Sequence, residues 1–236
     1  MIFNPNAKIQ LQRVGAGHPL LILDDALLEP ERLLDYSVRE AEAFKNVDFN
    51  AYPGLYLAAP APVVEELQDL FNLRVRRQFD ARRCLRVHCR LSLTTLAPSA
   101  LAPYQWLPHR DSHLLAPGQC IQASLLYLFH DERLCGTSLY EPRRSAAEIG
   151  ALFNDASQLP PAAFTQRYGL PGGYLHGSNN YFECVATVPA RWNRLIFYDG
   201  SVLHSGDITA PELLTSHPAT GRLTLNGFFT STRALS

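Results

Sequence analysis

From Leu85 to Thr94 apolar and polar residues alternate without a break: Leu85, Val87, Cys89, Leu91 and Leu93 against Arg86, His88, Arg90, Ser92 and Thr94. Successive side chains of a strand point to opposite faces, so this run commits the chain to a long strand with one buried face. The polar row Arg86, His88 and Arg90 then reads as a solvated sheet face. Apolar runs at Ile121–Phe129, Thr137–Tyr140, Tyr181–Val188, Leu195–Tyr198 and Arg222–Phe229 supply further strands. Upstream the period differs. Leu20–Leu23 reads as a short buried strand ending at Asp24-Asp25. Pro30 opens a helix with Leu33, Leu34, Val38 and Ala41 as its stripe, and Pro62 another with Val63, Val64, Leu67, Leu70 and Phe71. A β-rich half behind a helical third predicts helices packed against a two-sheet jelly roll.

One helical insertion interrupts the strands. Ser145-Ala-Ala-Glu148 is a capping box, in which serine and glutamate each satisfy an orphan backbone N–H, and Ile149, Leu152 and Phe153 form the buried face behind it. Pro160-Pro161 and Gly172-Gly173 bound the rest of the excursion, 145–173. With 236 residues and no internal repeat, the chain is expected to be one domain, with 1–80 as support and 84–230 as jelly-roll core.

Lys and Arg number 21 against 22 Asp and Glu, so no long-range field draws the chain to nucleic acid. No apolar run is long enough to span a bilayer, and Met1–Lys8 has no basic segment leading into an apolar one. A cytoplasmic location is the expectation, with no membrane partner, and nothing speaks to oligomeric state. The five cysteines are scattered and odd in number, without a C-x-x-C, which argues against a zinc site or a disulfide framework.

The chemistry is concentrated in Pro108-His109-Arg110-Asp111 and Leu203-His204-Ser205-Gly206, with Arg222-Leu223-Thr224 following. In a strand, His109 and Asp111 share a face. Two imidazoles and one carboxylate on one face of an octahedral ion leave three positions open, the arrangement of non-haem Fe(II) oxygenases. An H-x-D alone also occurs on solvated strand rims, where a neighbouring acid satisfies the histidine.

Several segments in fixed order strengthen the metal reading: PHRDSH at 108–113, SLLYLF at 124–129, CGTSLYEP at 135–142, VPARWNRLIFYDGSVLHSG at 188–206 and GRLTLNGFF at 221–229. In this pattern the chain resembles the 2-oxoglutarate- and Fe(II)-dependent dioxygenase superfamily, nearest its prolyl-hydroxylase-like branch and uncharacterised bacterial proteins of that type. The resemblance spans about Leu93 to Thr230. It implies a double-stranded β-helix (cupin-like) core and His109, Asp111 and His204 as iron ligands. It also implies Arg222 as partner of the 2-oxoglutarate C5 carboxylate, with Thr224 and Tyr127 adding hydrogen bonds. His113 shares the strand face of Asp111, where it would support the ligands, and Asn226 shares that of Arg222, where it would line the pocket. The implied reaction consumes O2 and 2-oxoglutarate, releases succinate and carbon dioxide, and hydroxylates a small-molecule or peptidyl substrate.

The chain departs from that pattern in two places. Cys135-Gly136 stands where the family often has Gly-Gly, and a single glycine with positive φ is enough for the turn. Arg222 follows His204 by 222 − 204 = 18 positions, longer than the family's usual gap, with 207–220 read as a surface loop. Arg194 is therefore a competing anchor. Two other classes remain open: a cupin-like metal enzyme without 2-oxoglutarate, and a non-catalytic metal-binding module.

Overall fold

The computed structural model describes residues 1–46, 52–111 and 115–233. In chain order the strands are β1 (Ile9–Val14), β2 (His18–Leu23), β3 (Lys45–Asn46), β4 (Gly54–Ala58), β5 (Ala81–Thr94), β6 (Gln119–Tyr127), β7 (Thr137–Pro142), β8 (Phe182–Val188), β9 (Leu195–Asp199), β10 (Leu203–Gly206) and β11 (Arg222–Arg233). The longer helices are α1 (Pro30–Arg39), α2 (Ala61–Leu70), α3 (Ala146–Gln158) and α4 (Pro161–Tyr168). None of the helices is long and apolar enough to cross a membrane.

The alternating run lies inside β5, and all strand pairs are antiparallel. One sheet runs β1-β2-β9-β6-β11-β5-β4-β3 and the other β10-β7-β8. On the free side of β10, His109 bridges to His204. From β5 onward the chain passes back and forth between the sheets: β5, β6, β9 and β11 build the large one, while His109, β7, β8 and β10 build the small one. That alternation makes a double-stranded β-helix, a jelly roll with helices on its outer faces.

Three apolar seams hold the layers. Leu91, Leu126, Leu223, Leu225 and Phe229 on the outer face of the large sheet pack against Leu33 of α1 and Val63, Leu67 and Leu70 of α2. Between the sheets lie Ala123, Tyr127, Leu139, Val188, Ile196 and Tyr198. Outside the small sheet, Tyr140, Phe182 and Leu203 are covered by Ile149 and Leu152 of α3 and Phe164 of α4. The Ser145 box caps α3: Glu148 N–H donates to Ser145 Oγ, and Ser145 N–H donates to Glu148 Oε2 at 3.0 Å. Gly227 lets α2 approach closely, because a Cβ there would lie 2.6 Å from Ser124 Oγ and 3.0 Å from Leu67 Cδ2.

Two features depart from the sequence reading. Strands β1, β3 and β4, which widen the large sheet on both sides, were not legible. Of β1 only Val14 is buried, so no strong apolar period marks it. The second departure concerns Arg86, His88 and Arg90, which are on the inner rather than the outer face, with Arg86 and His88 still exposed to solvent. The β11–β5 register pairs Arg222 with Thr94, Thr224 with Ser92, Asn226 with Arg90, Phe228 with His88 and Thr230 with Arg86. Paired residues share a face, so the basic row looks into the barrel. Toward Thr94 both faces of β5 are buried, whereas at the Arg86 end the inner face opens to solvent, so polarity here marks the mouth of the barrel.

Leu67 is fully buried in the seam beneath α2. Leu67→Ala is expected to cost about 2–5 kcal/mol of unfolding free energy in urea titrations, from lost contacts and the cavity left behind. Metal affinity of the folded variant should not change, since Leu67 lies on the far side of the large sheet from the inner face.

Candidate metal centre

The backbone brings two distant histidines face to face. His109 N–H donates to the His204 carbonyl at 2.9 Å and His204 N–H donates to the His109 carbonyl at 2.9 Å. Their ring centroids are 4.3 Å apart. Asp111 is fixed two residues on, where its N–H donates to the Gly200 carbonyl at 2.7 Å. His109 Nε2 lies 3.9 Å from Asp111 Oδ1, and His204 Nε2 lies 3.4 Å from Asp111 Oδ2. One ligand atom from each residue falls within 4.8 Å of the others.

The protonation pattern favours ligation. His204 Nδ1 is 2.9 Å from the Val202 carbonyl, and a carbonyl only accepts, so Nδ1 carries the proton and Nε2 presents a lone pair to the cluster. Burial pushes the His204 pKa down to about 4, keeping the ring neutral. His109 is half-exposed, leaving one side of the cluster open to the cavity. Two imidazole nitrogens and a carboxylate suit a first-row divalent ion such as iron, manganese or cobalt.

Arg222 is 3% exposed. Its Nε donates to the Leu134 carbonyl at 3.0 Å and its Nη2 to the Gly136 carbonyl at 2.6 Å, and its guanidinium carbon lies 5.8 Å from the Phe129 ring centroid. Among the described residues no carboxylate forms an ion pair with it. Tyr52, Tyr127, Tyr174 and Tyr198 all feel its charge, although burial raises the pKa of each phenol. The turn that seats it differs from the expectation for Cys135-Gly136. Cys135 itself adopts φ 59°, and Gly136 is needed for a different reason: a Cβ there would lie 1.7 Å from the Val188 carbonyl oxygen.

The other candidate residues are placed as follows. Tyr127 pairs across from Thr224 and is fully buried, its hydroxyl donating to Thr137 Oγ1 at 2.9 Å. Thr224 Oγ1 is buried without a hydrogen bond of good geometry, with the Tyr52 hydroxyl nearby. Asn226 is on the same inner face and donates to Ser92 Oγ at 2.9 Å. His113 lies outside the described residues. Arg194 is elsewhere: its Nε and Nη2 grip Asp24 Oδ1 and Oδ2 at 2.6 and 3.0 Å, a bidentate pair. Tyr52, Tyr174, Tyr198 and the inward basic row were not anticipated. Strand register was the available signal for the row, since residues paired across β5 and β11 must share a face.

A sequence model of DUF6445, a family of unknown function, matches residues 5–229. The chain belongs to that family. A search of the curated proteins finds no match. Among solved structures it is similar to SnoN, a non-heme alpha ketoglutarate dependent epimerase from nogalamycin biosynthesis. That match has 12% identity and a TM-score of 0.45, covering 94% of this chain and 81% of that one. It is also similar to HygX from Streptomyces hygroscopicus with nickel and 2-oxoglutarate bound, at 12% identity and a TM-score of 0.48, covering 92% and 83%. An N-substituted L-amino acid dioxygenase from Burkholderia ambifaria AMMD in complex with alpha-KG matches at 12% identity and a TM-score of 0.37, covering 90% and 82%. These likenesses are distant, and no residue role transfers with them.

Two outcomes are expected. His109→Ala and His204→Ala should each weaken Mn(II) binding by more than about 100-fold in a spin-resonance titration, a larger loss than removal of an outer partner brings. An unchanged affinity in both would dismiss the cluster as a metal site. The second outcome concerns acid stability. Arg194 holds the Asp24 carboxyl below its usual range. A depressed folded-state pKa stabilises the protein above the unfolded value and is lost as pH falls through the folded one. Asp24→Asn should therefore flatten the decline in thermal midpoint below about pH 4.

Proposed function

We propose that the protein is an Fe(II)- and 2-oxoglutarate-dependent oxygenase that hydroxylates a small-molecule or peptidyl substrate. The observation that carries this reading is Arg222, a buried cation without a carboxylate partner, close to a His-Asp-His cluster. A charge held inside a protein is costly unless it is paired, and here the described chain supplies only two carbonyls. A ligand carboxylate would complete the set. Gly206 marks the spacing: a Cβ there would lie 3.6 Å from Arg222 Nη2, and Gly206 is two residues beyond His204 on the same strand face. Two residues of strand span about 7 Å, the reach of a five-carbon dicarboxylate between an ion at His204 and the guanidinium.

In this reading His109, Asp111 and His204 would hold the ion through two imidazole nitrogens and a carboxylate oxygen. Bound iron and 2-oxoglutarate supply the oxidising chemistry with O2, yielding succinate, carbon dioxide and a hydroxylated product. Arg222 offers its planar fork to the far carboxylate, and the Thr224 hydroxyl is free to donate to the same group. Tyr127 stiffens that wall from behind through its bond to Thr137. Tyr198 packs on His204 with ring centroids 4.7 Å apart, holding the imidazole in place and keeping water from its buried edge.

Arg222→Leu should weaken 2-oxoglutarate binding to the Mn(II)-loaded protein by one to several powers of ten, the equivalent of about 2–5 kcal/mol for a stranded carboxylate. Arg222→Lys should recover part of this, since an ammonium keeps the charge but not the fork. Arg194→Leu should leave the affinity unchanged. Calorimetry reads all three, with circular dichroism as the check on folding. Iron-dependent succinate formation tests the activity, and its absence together with unaltered 2-oxoglutarate affinity in Arg222→Leu would overturn the reading.

A further inference from the structure

We infer that Arg86, His88 and Arg90 on the inner face of β5 recognise the substrate, and that the substrate is an organic anion, a carboxylate or phosphate on an apolar body. The inference deepens the oxygenase reading and rests on it for the word substrate. The cavity itself does not depend on that reading.

A cavity of about 230 Å³ joins the basic row to the metal cluster: Arg86 and His88 line one wall, Asp111 another, and Ile121, Leu115 and Phe228 the apolar remainder. Arg90 lies next along the row. Its guanidinium carbon is 4.1 Å from the Tyr56 ring centroid and 4.8 Å from that of Phe228. Aromatic faces satisfy a cation electrostatically but accept no N–H bond in the guanidinium plane. Arg90 Nε is in fact buried without a hydrogen-bond partner. Among the described residues neither Arg86 nor Arg90 forms an ion pair. His88 stacks on Phe228 with centroids 6.5 Å apart, and burial with the Arg90 charge lowers its pKa, so it adds a neutral donor.

Charge balance identifies the guest. A divalent ion, the Asp111 carboxylate, a dianionic cosubstrate and Arg222 together sum to zero. Arg86 and Arg90 are left as uncompensated positive charge beside the cluster. A neutral or cationic guest would leave the buried Arg90 Nε without an acceptor and cover the Arg86 side of the cavity without pairing its charge, which is costly. An anion on an apolar body satisfies them, while Phe228, Ile121 and Leu115 take the rest of the molecule.

The test uses phenylacetate, phenylacetamide and phenyl phosphate as probes of one size, with binding to the full chain read by ligand-observed NMR. Measurements run with and without Mn(II) and 2-oxoglutarate, in wild type, Arg86→Gln, Arg90→Gln, Arg90→Lys and Arg222→Leu. Wild type should bind a charged probe at least about tenfold tighter than the amide, a preference that Arg86→Gln and Arg90→Gln each reduce by about tenfold. Arg90→Lys should keep part of it, and the carboxylate and phosphate arms tell the two anions apart. Manganese should broaden the bound probe's resonances, placing it near the cluster. Equal binding of amide and anions, or a preference untouched by both glutamine variants, would overturn the inference. So would a preference that vanishes in Arg222→Leu, because the anion would then belong to the cosubstrate seat. If Mn(II) and 2-oxoglutarate fail to bind while the probe preference survives, the oxygenase reading falls and the anion pocket stands.

Discussion

The buried guanidinium of Arg222 joins the two halves of the molecule. It originates on β11, at the centre of the large sheet, and ends on the carbonyls of Leu134 and Gly136, in the turn that starts the small sheet. Those bonds need a turn that presents two carbonyls inward. The chain makes it with Cys135 at positive φ and with Gly136 lying against the Val188 backbone. A non-glycine residue at φ 59° and ψ 175° is strained by about 1–3 kcal/mol. Such a conformation persists only where its surroundings impose it, and here the arginine, the β7–β8 pairing and the metal-side strand β10 all meet. The chain thus fixes the guanidinium by itself, without a carboxylate partner among the described residues.

Much of this was legible in the sequence, and the exceptions have physical causes. The long alternation of 85–94 identified β5, and the clean helical spacing of Val63, Leu67 and Leu70 identified α2, because each pattern reports burial of one face. Strands β1 and β3 bury too little to leave a pattern, and β4 is a five-residue run in which buried and half-buried residues are nearly all apolar, so no alternation shows. His109, Asp111 and His204 were nominated by motif, and the fold brings them together, although nothing in the sequence revealed that His109 and His204 pair through their backbones. Arg86, His88 and Arg90 were assigned to the outer sheet face; they are on the inner one, at its open end, where Arg86 and His88 are indeed exposed. In a jelly roll whose outer face is under helices, the polar side of a strand looks inward. Only the pairing of β5 with β11, a long-range fact, decides between the two.

The division of labour between the faces of the large sheet follows from the same geometry. Its outer face is mainly apolar in the seam with α1 and α2, with Gln122 and Ser124 buried among the leucines and phenylalanines, and carries stability. Its inner face is graded along the strands: Arg222 and Thr94 at one end, then Thr224 with Ser92 and Tyr127, then Asn226 with Arg90, then Phe228 with His88, and Arg86 with Thr230 at the other. Successive rows are about 7 Å apart. The inner face is therefore one continuous surface whose deep end is sealed by tyrosines and whose open end is basic.

The reciprocal backbone bonds between His109 and His204 have a consequence for selectivity among ions. Flexible ligand residues on separate loops can breathe to suit a larger or smaller ion. These two cannot do so independently, because each is the other's main-chain partner, with both N–O separations at 2.9 Å. Hydrogen-bonded antiparallel partners keep a nearly constant Cα separation of about 5.5 Å. Peptide geometry thus fixes where the two imidazoles are rooted, like the jaws of a caliper clamped at the frame. Adjustment to ionic radius is left to side-chain torsions, since the Asp111 backbone is tied as well, to the Gly200 carbonyl at 2.7 Å.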